Sequence, residues 1–331
     1  MSSRRYTIFL VAACVAVISL ATAIRIYQLS PDQAPKSTPV AVLPSAVPLA
    51  PEPSFYEDQT IAKPSPAVIP ASSETVPESA LPVVPGRPKS DGITAKAYLV
   101  GNVQTGQIYL EHNADAVMPF ASMSKLITAF VATDELKTNP TIEITPEEAQ
   151  APPDGSGIAA GERYTMQELL LPMLLDSSNI AAEAIASSTN RKHFLEQMSS
   201  YAWEVGMPST YFADPSGVSP ENISSAKDLF GLAQYLYKYR PDILAITRTA
   251  HTAFATTTDH GSHLIDSIHP FVTDPRFIGG KTGRTPEAGE TMMTIMRIGF
   301  QPVAFIILGS QEGRRQQDTQ LLIDKLGSVT E

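Results

Sequence analysis

The sequence predicts a mixed α/β domain over residues 92–331, with one sheet carrying helices and a helical lobe beside it. Three observations carry that expectation. Strand-like segments lie at both ends of the region. The stretch between them reads as a succession of capped helices. The chain ahead of it is unsuited to a core: fourteen of the 28 prolines fall between Pro31 and Pro88, in a background rich in Ala, Val and Ser. Such a segment cannot bury enough apolar surface to fold, so residues 29–91 read as a Pro-rich disordered linker.

Residues 1–28 read as a cytoplasmic N-terminus and membrane signal anchor. Arg4 and Arg5 precede an apolar run from Tyr6 to Ile24. As a helix that run reaches about 28 Å, close to one hydrocarbon core. Basic residues ahead of it favour a cytoplasmic N-terminus. A signal peptide cut near Ala21-Thr22-Ala23 is the competing reading. Either way residues 92–331 are expected outside the cytoplasm; with the anchor kept, the protein is a single-pass membrane protein.

Within that region, Ala95–Val100 and Gln107–Glu111 read as strands joined through Gly101 to Gly106. A helix follows to about Leu136. Thr165-x-x-Glu168 forms a capping box before Leu169, Leu170 and Leu171. Pro172 lies beyond the first turn, so a kink or break is expected there. An alanine-rich helix to about Ser188 and another over His193–Val205 come next. Ser225-x-x-Asp228 caps a further helix bearing Leu229, Leu232 and Leu236. The tail reads as sheet over Thr249–Phe254, Phe277–Gly283, Glu290–Ile298 and Pro302–Gly309, closed by a helix over Arg314–Lys325.

Three short motifs could carry chemistry. Ser122-Met123-Ser124-Lys125 places a hydroxyl and an amine three residues apart. On a helix those positions share a face, with Cβ atoms roughly 5–6 Å apart. Ser122 is therefore the candidate nucleophile, and Ser124, adjacent to Lys125, is not. Ser177-x-Asn179 offers a hydroxyl that can relay a proton and an amide that can hold a lysine and a substrate carbonyl. Gly279-Gly280-Lys281-Thr282-Gly283-Arg284 puts a second lysine and a hydroxyl in a strand, where they can bind an anion. Each motif alone is ordinary.

In this order the three resemble the motif set of penicillin-binding proteins and class A β-lactamases. More closely, residues 95–325 resemble the serine-type D-alanyl-D-alanine carboxypeptidases, the low-molecular-weight penicillin-binding proteins. Phe120-Ala121, Leu174–Ala186, Asp214-Pro215-Ser216-Gly217 and Lys281–Gly289 extend the likeness. Ser178, where glycine is frequent, and Pro172 and Asp176 depart from it. The resemblance implies a β-lactamase/transpeptidase-like fold, α/β in the α+β sense. It has an antiparallel five-stranded sheet flanked by helices and an all-α lobe. It implies cleavage of the terminal D-Ala-D-Ala bond of peptidoglycan stem peptides through an acyl-enzyme, with β-lactams as acylating inhibitors.

The implied catalytic residues are Ser122, Lys125, Ser177 and Asn179. Lys281, Thr282, Gly283 and Arg284 bind substrate, with the backbone N–H groups of Ser122 and Arg284 as oxyanion donors. An arginine that binds the terminal carboxylate is placed at Arg314. A free lysine titrates near 10.4. Lys125 can be a base near neutrality only if burial and a nearby cation displace its proton, and Lys281 is expected to be that cation.

A formal net charge of −10 argues against nucleic acid. The only cysteine, Cys14, rules out an internal disulfide. No metal or cofactor is expected. His260-x-x-His263 and His269 lack partners at a metal-ligand spacing and read as loop or surface histidines. Trp203 reads as core, and turn geometry explains Asp214–Gly217 as well as a place bordering the cleft does. The expected partners are stem peptides, β-lactams and, through the N-terminal helix, the membrane; the expected state is a monomer. A D,D-endopeptidase acting on cross-links is the alternative. A β-lactamase is disfavoured because no Glu-x-x-Leu-Asn segment stands between Asn179 and Lys281 to activate a deacylating water, and a wall-binding scaffold would not need the intact motifs.

Overall fold

The computed structural model describes residues 92–152 and 155–330. The expected anchor and linker lie outside the described residues. In chain order, β1 (Ala97–Asn102) and β2 (Ile108–His112) form a hairpin. β3 (Met118–Pro119) leads into a 3-10 turn at Ala121–Ser124, continued by α1 (Lys125–Glu135). After β4 (Thr141–Glu143) and β5 (Arg163–Thr165), α2 (Met166–Leu175), α3 (Asn179–Ser187) and α4 (Arg191–Glu204) build the helical lobe. β6 (Ile223–Ser224) pairs with β3, and α5 (Ala226–Tyr239) and α6 (Pro241–Thr247) follow. β7 (His251–Phe254) and β8 (His263–Asp266) make a separate hairpin. β9 (Phe277–Thr285), β10 (Gly289–Ile298), β11 (Gln301–Ser310) and α7 (Arg315–Thr330) complete the chain.

The main sheet has five antiparallel strands in the order β2-β1-β11-β10-β9. Its central strands are buried on both faces, which is why Pro302–Leu308 reads as a continuous apolar run. Ala97, Leu99, Ala304, Ile306 and Leu308 turn toward the helices. Their alternating neighbours Tyr98, Val100, Phe305 and Ile307 turn to a second core closed by Leu322, Ile323 and Leu326 of α7. Period-two alternation thus serves two cores rather than a core and solvent. β9 is an edge strand, so one side of its backbone remains available.

α1 is buried from Lys125 through Ala132, the signature of a helix enclosed on all sides. Its first residue is therefore a lysine taken wholly out of water.

Three expectations are corrected. Pro172 does not break α2: the helix is continuous to Leu175, with Met173, Leu174 and Leu175 buried beyond the proline. Only the N–H that would reach the Glu168 carbonyl is missing, and the helix ends three residues later. The strand expected at Thr249–Phe254 pairs with β8 in its own hairpin instead of joining the sheet. Trp203 is 70% exposed, not core. The buried stripe of α4 is Phe194, Met198 and Ala202, and Trp203 falls one residue past it. His260 and His269 do lie in loops, and they are buried there. His260 stacks on Tyr164 at 4.6 Å, and His263 meets Glu162 at 3.1 Å.

Candidate active site

The nucleophile turn is pinned from both sides. The Thr291 hydroxyl of β10 donates to the Phe120 carbonyl at 3.0 Å. Ala121 takes a left-handed φ of 52°, unusual for a residue with a Cβ. Ser122 follows, half-buried, in the 3-10 turn. Two glycines let other segments approach it. A Cβ on Gly217 would lie 2.2 Å from the Ala121 carbonyl oxygen, and one on Gly283 would lie 3.0 Å from the Ser122 nitrogen. Strain held by its surroundings at a reactive residue is a common feature of functional sites.

Lys125 is fully buried, and its amine is ringed by acceptors. Nζ lies 2.9 Å from Ser122 Oγ, 2.8 Å from Asn179 Oδ1 and 2.6 Å from the Ser216 carbonyl. The two carbonyl-type oxygens can only accept, so they take two N–H groups. A neutral amine then has its lone pair left for the Ser122 hydroxyl proton; an ammonium would spend its third N–H there. The geometry suits an amine that takes and returns the serine proton. Ser124, the rejected serine, is buried with its hydroxyl turned toward Gly217.

Ser177 and Asn179 stand at the α2–α3 junction. Ser177 has a left-handed φ of 74°. Ser178, the departure from glycine, works as the N-cap of α3, its hydroxyl accepting from the Ala181 N–H at 3.2 Å. The cap fixes the first helical residue, Asn179, whose Nδ2 donates to the Pro152 carbonyl at 3.0 Å. Its Oδ1 is thereby oriented toward Lys125.

Lys281, 1% exposed, donates to the Thr282 carbonyl at 3.0 Å. Burial pushes its ammonium well below the ordinary lysine range, and the charges of Lys125 and Arg315 push the same way, opposed by Asp176. This modifies the expectation that Lys281 is a fixed cation holding Lys125 neutral. Each ammonium makes the other harder to keep protonated.

Arg314 does not reach the cleft. Its Nη2 donates to the Gly92 carbonyl at 3.0 Å. The next residue, Arg315, points to the site instead, with Nη1 3.3 Å from the Gly283 carbonyl. A helix start turns successive residues by about 100°, so adjacent arginines face different ways. The exposed Arg284 side chain pairs with Glu312 at 3.2 Å.

Two further contributors complete the site, the first in the Asp214–Gly217 turn already weighed as a cleft border. Asp214 accepts from the N–H groups of Ser216, Gly217 and Ser219 at 2.9, 2.5 and 2.6 Å, folding the turn so that the Ser216 carbonyl meets Lys125. Turn chemistry and cleft function coincide at Asp214–Gly217. The other is Arg315, masked by its neighbour.

The model of the D-alanyl-D-alanine carboxypeptidase family matches residues 85–312. The chain is 32% identical over 209 residues to a D-alanyl-D-alanine endopeptidase of Haemophilus influenzae, covering 61% of this chain and 70% of that protein. It is 28% identical to the D-alanyl-D-alanine carboxypeptidase DacB2 of Mycobacterium tuberculosis, over 67% and 75% of the two chains. Among solved structures, a D-alanyl-D-alanine carboxypeptidase from Mycobacterium tuberculosis superposes with a TM-score of 0.65 at 25% identity, over 77% of this chain and 96% of that one. Penicillin-binding protein D2 of Listeria monocytogenes, in its cefotaxime-bound form, gives 0.62 at 28% identity, over 70% and 96%. With a serine three residues before a buried lysine, a capped Ser-x-Asn turn and a Lys-Thr-Gly edge strand, the chain belongs to the D-alanyl-D-alanine carboxypeptidase family of serine peptidases, peptidase family S11.

Proposed function

We propose that the protein is a D,D-carboxypeptidase whose acyl-enzyme forms on Ser122. Ser122 Oγ attacks the carbonyl carbon of the penultimate D-alanine, and its proton passes to the Lys125 amine. The oxyanion is held by the backbone N–H groups of Ser122 and Arg284. Ser177 relays a proton to the leaving nitrogen, the C–N bond breaks, and D-alanine departs. Water then cleaves the ester. Asn179 keeps Lys125 and the substrate amide in register. Lys281, Thr282 and Arg315 receive the terminal carboxylate, beside Gly283.

The single observation that carries this reading is the 2.9 Å approach of Lys125 Nζ to Ser122 Oγ with two carbonyl acceptors on the same nitrogen. Composition supports it: the basic side chains Lys125, Lys281 and Arg315 converge here in a chain of net charge −10, which suits an anionic substrate end. β-Lactams, with a carboxylate beside an acyl bond, are expected to acylate the same serine; penicillin-binding protein D2 of Listeria monocytogenes has been solved with cefotaxime and with ampicillin. The residues ahead of Gly92 supply the membrane anchor and tether, holding a monomeric catalytic domain on the extracytoplasmic side.

A second reading, D,D-endopeptidase, is favoured by the relatives of that name in Haemophilus influenzae, Pseudomonas aeruginosa and Escherichia coli. The full-length protein, assayed side by side on a pentapeptide ending in D-Ala-D-Ala and on a cross-linked peptide dimer, separates the two. D-alanine release dominating supports the carboxypeptidase. Faster cleavage of the dimer assigns the endopeptidase, and turnover of neither refutes both.

A further inference from the structure

Strand β10 carries one carboxylate into a buried stretch that is otherwise uncharged. Glu290 is only 6% exposed and is followed by the buried residues Thr291 to Met296. A buried carboxylate is retained in a fold only when charge and hydrogen bonds compensate it. Both compensations converge on one residue. Glu290 Oε2 accepts the backbone N–H of Arg315, the first residue of α7, at 3.0 Å. The Glu290 charge also opposes the pull of burial on the Arg315 guanidinium. Arg315 in turn reaches the Gly283 carbonyl with Nη1 at 3.3 Å.

The register fixes why this matters. Glu290 lies directly opposite Arg284 on β9, one residue past Gly283, and opposite Ser310 on β11. The carboxylate therefore sits where β9, β10 and the head of α7 meet. Without it, the guanidinium would be drawn outward to Glu287 or Glu312, the exposed carboxylates of the adjoining cavity of about 680 Å³. Capping α7 alone would not require burial, since a capping carboxylate works at the surface.

We propose that Glu290 is a positioning residue: it holds Arg315 against Gly283 and so sets the preference for substrates ending in a free carboxylate. The inference rests on the D,D-peptidase reading above and adds to it a residue that touches no substrate.

The test compares kcat/KM of the full-length protein on a pentapeptide ending in D-Ala-D-Ala and on the same peptide with a C-terminal amide. The wild-type protein favours the acid. Glu290→Ala lowers the acid-to-amide ratio by about tenfold or more, the scale of one charge-assisted contact. Glu290→Gln, which keeps shape and an acceptor but no charge, falls between. The loss appears in KM for the acid, while the amide is cleaved as before. An unchanged ratio with both rates reduced equally overturns the proposal and leaves Glu290 as a helix cap. Should the alanine variant fail to fold, the isosteric glutamine variant decides alone. A wild-type protein inactive on both peptides overturns the underlying reading, and this inference with it.

Discussion

Gly217→Ala makes the sharpest mechanical test of the nucleophile turn. Gly217 has φ +82°, and a Cβ there would sit 2.2 Å from the Ala121 carbonyl oxygen and 2.6 Å from Ser124 Oγ. The left-handed backbone alone costs an alanine about 1–2 kcal/mol. The overlap adds roughly 1–3 kcal/mol, the range for overpacking, because Ala121 is itself strained at φ 52° and cannot yield freely. A total near 3 kcal/mol lowers Tm by about 6–12 °C in a domain of this size. The relief must come from Ala121, and Ser122 moves with it. A displacement of about 1 Å at a reacting group costs on the order of a hundredfold in rate. Gly206→Ala is the control: its φ is +86° with nothing within 4 Å of a Cβ, so it pays the backbone term alone. The assays are thermal unfolding and the rate of acylation by a fluorescent penicillin. Gly217→Ala should lose both stability and acylation; Gly206→Ala should lose a little stability and no acylation. Equal acylation by the two variants would refute the claim that close approach at Gly217 sets the position of Ser122.

Asn179→Ala removes one acceptor from the buried Lys125 amine. A hydrogen bond to such a group is worth about 1.5–3 kcal/mol, so acylation should slow roughly 10- to 150-fold. Asn179→Asp puts a carboxylate there instead, strengthens the proton on Lys125, and should move the acylation pH profile upward; an unmoved profile contradicts the base role. Lys281 holds its proton less tightly in the fold than the ordinary value of about 10.4. The unfolded chain then binds more protons below that pH, and stability rises as pH climbs toward about 10.4. Lys281→Met should flatten that rise in denaturant titrations, leave Tm at neutral pH unchanged or higher, and still slow acylation. Burial pushes His269 down to about 3. It is neutral in the fold and protonates on unfolding, so stability is lost as pH falls from about 6.5 to about 3. His269→Gln should remove that part of the acid slope; an identical slope contradicts the burial of a neutral ring.

Much of the fold was legible because period and punctuation agreed. The capping box at Thr165 and the cap at Ser225 stand where the sequence puts them. β9, β10 and β11 are each found within two residues of expectation. The short α6 was overlooked although Arg240-Pro241 carries its signal, a proline at the first helical position. The exposure of Trp203 and the burial of His260 and His269 escape the sequence for a different reason. Their burial depends on which face of α4 or which hairpin packs inward, and neighbouring residues in sequence do not encode that.

The site divides the same way. Ser122, Lys125, Ser177, Asn179 and Lys281 are visible as short motifs because local geometry fixes their spacing. The partners of Lys125 are only partly so: Ser216 contributes a backbone carbonyl, which no side chain announces. The choice between Arg314 and Arg315 turned on the phase of a helix start, below the resolution of sequence spacing. Glu290 reads as one more alternating residue of a strand until its burial is known.

The central claim is that Ser122 is the residue acylated. Mass spectrometric mapping of the full-length protein after labelling with penicillin tests it most directly. A penicilloyl group on the peptide bearing Ser122, absent from Ser122→Ala, is the predicted result. A label carried on any other serine, or retained by Ser122→Ala, would contradict it.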